Sequence, residues 1–181
     1  PIRKSISQDI AVIGMSGRFP GSHDLDAFWI NLLEGKESIQ FFSLDELIAA
    51  GVDPSEAQLP NYVPAHGRLD EIEYFDAEFF GYTPLEAKII DPQQRLFLQT
   101  AWHTLEHAGY AKNDPSISIG VFAGCSQNDY LINQILPHSV TLTDVTAYQA
   151  ILGNDKDFIA TRVSYALNLT GPSLNIQTAC S

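Results

Sequence analysis

The residues with the clearest chemical potential stand in the run Leu174-Asn175-Ile176-Gln177-Thr178-Ala179-Cys180-Ser181. A free thiol with a pKa of about 8.5 is only about 3% ionised at pH 7, so lowering it by one or two units multiplies the reactive thiolate severalfold. A tight strand-to-helix turn supplies such a lowering, because the unpaired N–H groups at a helix start carry partial positive charge. The local sequence fits that placement. Gly171-Pro172 breaks the preceding helical pattern, and Leu174 and Ile176 then alternate with Asn175 and Gln177 as in a short half-buried strand. Small residues surround the thiol at Thr178, Ala179 and Ser181. Cys180 is therefore a candidate catalytic nucleophile. A free cysteine also serves as a small buried hydrophobe, and spacing alone leaves both roles open.

Other patterns compete for attention. His103-Thr-Leu-Glu-His107 fits H-x-x-E-H, in which two histidines four apart share one helical face and can share a metal, but a zinc site needs a third ligand. Trp102, Leu105 and Ala108 draw this helix into a core instead. Gly14-Met-Ser-Gly-Arg-Phe-Pro-Gly21 invites a nucleotide-loop reading, yet Ser16 stands where the dinucleotide fingerprint needs its second glycine and Pro20 intrudes. Arg95 and Arg162 could each grip a phosphate, but an arginine within a helix more often makes a structural ion pair. Cys125 is expected as a buried small residue, an internal control for Cys180. No metal or directly bound cofactor is expected.

These residues need elements to hold them. Ile10 to Met15 reads as a buried strand, Leu25 to Leu33 as a helix closing at Gly35, and Leu44 to Ala50 as a short helix ended by Gly51. The stretch 52–68, with Pro54, Pro60 and Pro64, reads as irregular. Thr83-Pro84-Leu85-Glu86 offers an N-cap, a first-turn proline and a capping-box acid, and Asp91-Pro92-Gln93-Gln94 repeats that logic. The second of these helices is expected to end at Gly109 and to bury the stripe Leu98, Ala101, Trp102, Leu105 and Ala108. Ile117 to Ala123 follows as a strand, then Asp155 to Leu167 as a helix capped by Asn154 or Asp155, with Phe158, Ile159, Val163, Ala166 and Leu167 on its apolar side. Strands alternating with helices imply an α/β sheet buried on both faces. No repeat or linker divides residues 1–181, and by length alone the chain would suit one domain.

Composition excludes several classes. With 45% hydrophobic residues, including ten Phe, the chain can bury a substantial core, and no apolar run reaches the roughly 18 residues a membrane span needs. Net charge is −12, from 22 acidic and 10 basic residues, which argues against a nucleic-acid surface. Two cysteines make no disulfide framework, so the cytoplasm is the expected compartment. The start, Pro1-Ile-Arg-Lys-Ser-Ile-Ser, reads as a cut or processed end, not a signal peptide.

The segment Gly171-Pro-Ser-Leu-Asn-Ile-Gln-Thr-Ala-Cys-Ser181 resembles the active-site segment of beta-ketoacyl synthases, specifically the ketosynthase domains of modular polyketide synthases. Further motifs follow in the family's order. They are Ile10-Ala-Val-Ile-Gly-Met-Ser-Gly-Arg-Phe-Pro20, Asp24-Leu-Asp-Ala-Phe-Trp29, Phe75-Asp76 with Phe79-Phe80-Gly81, Asp91-Pro-Gln-Gln-Arg-Leu96, Leu105 to Tyr110, Gly120-Val-Phe-Ala-Gly124 and Arg162-Val-Ser-Tyr165. Gln177 departs from the Asp that many relatives carry there.

The resemblance implies a thiolase-like layered αβαβα fold, of which this chain is expected to be the first half only, normally within a homodimer. It implies that Cys180 takes an acyl group from the phosphopantetheine arm of an acyl carrier protein and supports decarboxylative condensation with a malonyl-type extender. The family's two catalytic histidines and supporting lysine follow the cysteine, whereas His23, His66, His103, His107 and His138 all precede Cys180. A C-terminal half of the ketosynthase is therefore an expected partner, without which the chain is expected to be inactive, and a sheet cut there is expected to expose an edge and apolar surface. The alternatives are a noncatalytic ketosynthase-derived assembly half and, more weakly, a papain-like cysteine hydrolase. Neither membrane nor nucleic acid is an expected partner.

Overall fold

The computed structural model describes residues 9–112, 114, 116–137 and 144–179, and its chain packs as two units, one spanning Gly17–Ile72 and the other formed by the residues on either side of it.

In the Gly17–Ile72 unit, the short polar side chains start the helices. Asp24 caps α1 (Leu25–Leu33) by accepting from the Ala27 N–H at 2.8 Å, and Ser43 and Glu46 form a complete capping box on α2 (Leu44–Ala49). The stretch expected to be irregular is more ordered than its prolines suggest. Asp53 caps a one-turn helix, α3 (Pro54–Ala57), with Pro54 at the first helical position, where its missing N–H costs nothing. Beyond it, β2 (Ala65–His66) pairs antiparallel with β1 (Gln40–Phe41), and Phe42 stacks on His66 at 4.7 Å between ring centres.

The second unit holds the main core. Thr83 and Glu86 close a capping box on α4 (Pro84–Ile89), as expected from their spacing. On α5 (Pro92–Ala108) the logic differs: Asp91 accepts from the Gln93 N–H at 2.7 Å, but Gln94 does not reach back to the cap. It turns away to donate to the Asp155 carbonyl at 3.0 Å and to accept from Arg162 Nε at 2.6 Å. Gly109 ends α5 with φ +78°, a left-handed C-cap that favours glycine.

Among the described residues two strands carry the sheet of this unit, β3 (Val121–Ala123) and β4 (Ser173–Asn175), paired parallel with Phe122 opposite Leu174. Between them the chain passes through a π-helical turn (Leu131–Ile135), α6 (Asp144–Asn154), a 3₁₀ turn (Lys156–Phe158) and α7 (Ile159–Ala166). Leu98, Val121, Ala123, Ile159, Ala160 and Val163 form the buried core, with Phe75, Phe80, Phe97 and Ala101 packed against it. Burying a large aliphatic side chain stabilises a fold by about 1.5–3 kcal/mol, so this cluster joins α5 and α7 to one face of the sheet.

Several expectations need correcting. The apolar run Ile10–Met15 enters no ladder, and Ile10 is 94% and Val12 77% exposed. An apolar run is compatible with a buried strand but supplies no partner edge, and here the Met15 N–H donates to His107 Nδ1 at 2.9 Å instead. Only Val121–Ala123 of the longer expected strand pairs. The faces of β4 are the reverse of the pattern read from sequence. Ser173 meets Ser164, and Asn175 Oδ1 accepts from the Ala160 N–H at 3.0 Å, while Leu174 and Phe122 stand exposed on the other face. The helix expected from Asp155 begins as the 3₁₀ turn capped by Asp155, and Asn154 is the last residue of α6 rather than a cap.

Candidate active site

Parallel strands gather functional groups where their carboxyl ends open into a crevice. Here the exits of β3 and β4 run side by side. The Ile176 N–H donates to the Ala123 carbonyl at 2.8 Å, and a Cβ on Gly124 would lie 2.6 Å from the Ile176 carbonyl oxygen, so only glycine permits this approach. The two exits and the start of the 3₁₀ turn border a cleft of about 1000 Å³, with Leu131, Ile132, Ile151 and Ile176 as apolar lining and Gln127, Asn128, Asp155, Lys156 and Gln177 as polar lining.

The loop after β3 is fixed from below by the start of α5. Gln93 Oε1 accepts from the Ser126 N–H at 3.0 Å, and Gln93 Nε2 donates to the Gln127 carbonyl at 3.4 Å. Asn128 donates to the Asn154 carbonyl, and Asn154, almost fully buried, donates to the Ile89 and Ala150 carbonyls. The Asp91-Pro-Gln-Gln-Arg-Leu96 signature thus places backbone around the cleft: Asp91 caps, Gln93 holds the β3 loop, and Gln94 holds Asp155 and Arg162.

Cys180 and Ser181 lie outside the described residues. What leads to Cys180 is described. Ala179 adopts φ +51°, the left-handed region that a residue with a Cβ enters only at a cost of order 1–3 kcal/mol, and such strain concentrates at functional sites. Thr178 and Ala179 line the cleft. The strand-to-helix turn expected at Cys180 itself lies outside the described residues.

Cys125, the other cysteine, also lines the cleft but in a different state. Burial pushes its thiol pKa up, the Asp91 charge adds to this, and a hydrogen bond from Gln177 and the Lys156 charge oppose it. It is half-buried, packed against the core, and not fully buried as expected from sequence. Arg162 is structural, but not by an ion pair. Its guanidinium donates to Gln94, to the Leu152 carbonyl at 2.7 Å and to the Tyr82 hydroxyl at 3.4 Å, all uncharged acceptors. Arg95 is buried, with Nη1 reaching the Glu73 carbonyl at 3.5 Å. In the H-x-x-E-H pattern, His107 Nδ1 is engaged by the Met15 N–H, and His103 and Glu106 face outward. Sequence reasoning missed α6, Asn154 and Asn128 as organisers of the cleft. The signal available was Asn154 itself, a polar residue ending an apolar stretch, but its partner carbonyls include one distant in the chain.

Comparison with known proteins identifies the arrangement. The family model described as beta-ketoacyl synthase, N-terminal domain, matches residues 7–181. The chain is 49% identical over 178 residues to a phenolphthiocerol/phthiocerol polyketide synthase of Mycobacterium tuberculosis, covering 95% of this chain and 12% of that protein. It is 38% identical over 175 residues to polyketide synthase PksN of Bacillus subtilis, covering 95% of this chain and 3% of that protein. Among solved structures, ketosynthase twelve of the bacillaene polyketide synthase of Bacillus amyloliquefaciens superposes with a TM-score of 0.77 at 38% identity, over 93% of this chain and 29% of that one. The chain thus spans a small part of the length of the relatives it matches and shares the thiolase-like fold of the ketosynthases. It belongs to the beta-ketoacyl synthase family, matching the N-terminal domain of its polyketide synthase ketosynthases.

Proposed function

We propose that this chain supplies the nucleophile-bearing part of a polyketide ketosynthase, with Cys180 as the attacking residue. The observation that carries the reading is the left-handed turn at Ala179, directly before Cys180 and on the lining of the cleft at the strand exits. The Cys180 thiolate attacks the carbonyl carbon of an acyl thioester carried on the phosphopantetheine arm of an acyl carrier protein. The tetrahedral intermediate collapses by expelling the carrier's thiolate, which takes up a proton, and leaves the acyl group on sulfur. The Cys180 N–H contributes to the oxyanion hole, where a single donor is worth about 3–4 kcal/mol. A malonyl-type thioester on a carrier then loses carbon dioxide, and the electron pair left on carbon attacks the acyl-cysteine carbonyl. Cys180 departs as thiolate, and the chain leaves on the carrier two backbone carbons longer.

The acid–base groups for decarboxylation belong, in this reading, to histidines of the C-terminal half of the ketosynthase. Acyl carrier protein, a second ketosynthase protomer and the cytoplasm complete the setting. The test is reconstitution of the intact protein with acyl- and malonyl-loaded carrier protein, read by mass spectrometry of the carrier. A β-ketoacyl carrier product, lost in Cys180→Ala, is the expected result. Release of free acid without elongation would contradict the condensation step.

A further inference from the structure

We propose that the groove between α4, α6 and α7 is a second small-molecule site, which takes a singly charged carboxylate with an apolar body and holds the carboxylate on Arg162. The groove encloses about 450 Å³ and shares no lining residue with the cleft at the strand exits. Phe80, Ile89, Ile90, Leu152 and Phe158 give it apolar walls, and among the described residues Arg162 is the one cation on its lining. Small-molecule sites have this composition in general: some hundreds of Å³, mostly apolar, with a few placed polar groups.

Arg162 is the group that points to an anion. Its guanidinium carries five N–H donors, of which Gln94 Oε1, the Tyr82 hydroxyl and the Leu152 carbonyl engage three. All three acceptors are uncharged, and among the described residues no carboxylate forms an ion pair with it. A half-buried charge without a counter-ion is costly, and a carboxylate that takes the two remaining N–H groups relieves that cost. The acceptors stand on α5, on the loop before α4 and on α6, so the guanidinium is already fixed and binding need not order it. Glu86 also lines the groove, but its carboxyl is held at the start of α4 by the Thr83 N–H at 2.8 Å and the Thr83 hydroxyl at 2.7 Å. That fixed negative charge selects against a doubly charged phosphate and leaves a monoanion as the better match to a single guanidinium.

The probes are 4-phenylbutyrate, its neutral amide 4-phenylbutanamide and phenyl phosphate, each titrated against the intact protein by saturation-transfer NMR, with circular dichroism melting as the fold control. The acid is expected to saturate with a Kd on the order of 1 mM, as suits a ligand of about a dozen non-hydrogen atoms. It should bind about tenfold more tightly than the amide or the phosphate. Arg162→Met keeps an apolar stem and removes the charge, and is expected to weaken the acid about tenfold while leaving the amide unchanged. Because Arg162 also ties three elements together, Thr161→Trp accompanies it. Thr161 is exposed on the groove's lining, and the larger side chain fills the groove with Arg162 in place, so the same weakening of the acid is expected even if Arg162→Met melts early. An acyl thioester of pantetheine, aimed at the cleft, is expected not to displace the acid. Equal binding of acid and amide, tighter binding of the phosphate, displacement by the pantetheine thioester, or parental affinity in Thr161→Trp would each overturn the proposal. So would a failure of the acid to saturate by about 10 mM. None of these results bears on the ketosynthase reading, which rests on the Cys180 adduct.

Discussion

The exits of β3 and β4 are neighbours with the same residue type within reach, yet the chain treats them differently. After β3, Cys125 is half-buried, its loop is pinned by Gln93 and Asn128, and its thiol is pushed toward the protonated form. After β4, the chain is exposed, turns through a left-handed alanine and leads to Cys180. A cysteine following a strand is thus not in itself a nucleophile: desolvation and nearby carboxylates set the Cys125 thiol aside, while the proposed nucleophile follows a strained turn on the cleft lining.

The sharpest break of that contrast is chemical. With iodoacetamide at pH 7, Cys180 is expected to alkylate about tenfold or more faster than Cys125, and the ratio should narrow as pH rises and Cys125 ionises. Equal rates at pH 7 would erase the distinction. Forcing the two exits apart comes next. Gly124→Ala places a methyl 2.6 Å from the Ile176 carbonyl oxygen, and urea unfolding should show a loss of about 1–3 kcal/mol together with slower labelling of Cys180.

A smaller effect lies farther from the exits. Thr83→Ala removes the cap of α4 and should cost about 1 kcal/mol near neutral pH. Backbone and side-chain bonds from Thr83 hold the Glu86 carboxyl below its ordinary value. The stability they contribute is present above the unfolded pKa and is lost as pH falls through the folded one. The parent–variant gap should therefore shrink in acid, and a gap that widens would be inconsistent with the capping box.

The smallest effect concerns Asp91, beneath the β3 loop. Burial raises its carboxyl above the ordinary value, against the hydrogen bonds from Gln93. The sign is opposite to that of Glu86: the ionised form costs stability at neutral pH, and the cost is relieved as pH falls through the folded pKa. Asp91→Asn keeps a capping oxygen and removes the charge. Its urea midpoint at pH 7 should equal or slightly exceed the parent's, with the difference vanishing toward about pH 4. A clear loss at pH 7 would show that the Asp91 charge stabilises the fold.

Much of this was readable from the residues, where the cause is local. Thr83-Pro84-Leu85-Glu86, Asp91-Pro92 and Gly109 carry their caps within a few residues, and each forms as the spacing indicates; of the expected stripe, Leu98 is buried and Ala101, Trp102, Leu105 and Ala108 are half-buried. What failed depended on distant partners. Ile10–Met15 has the composition of a buried strand and lacks a ladder; Leu174 faces outward because Ser164 and Ala160 engage Ser173 and Asn175 from α7. Gln94 carries the capping-box residue type, but Arg162 and Asp155, more than sixty residues away, claim its side chain. The site followed the same division. Small residues pointed to the segment that ends at Cys180, but not to the left-handed conformation of Ala179, and the loops that frame the cleft are ordered by Gln93, Asn128 and Asn154, whose roles exist only once the chain has folded.

The most direct measurement of the central claim is to expose the intact protein to an acyl thioester of a phosphopantetheine mimic and locate the adduct by peptide mass spectrometry. Acylation at Cys180 with Cys125 unmodified, abolished in Cys180→Ala, is the predicted result. An adduct on Cys125 instead, or none on Cys180 while iodoacetamide still labels it, would contradict the assignment of Cys180 as the acyl-accepting nucleophile.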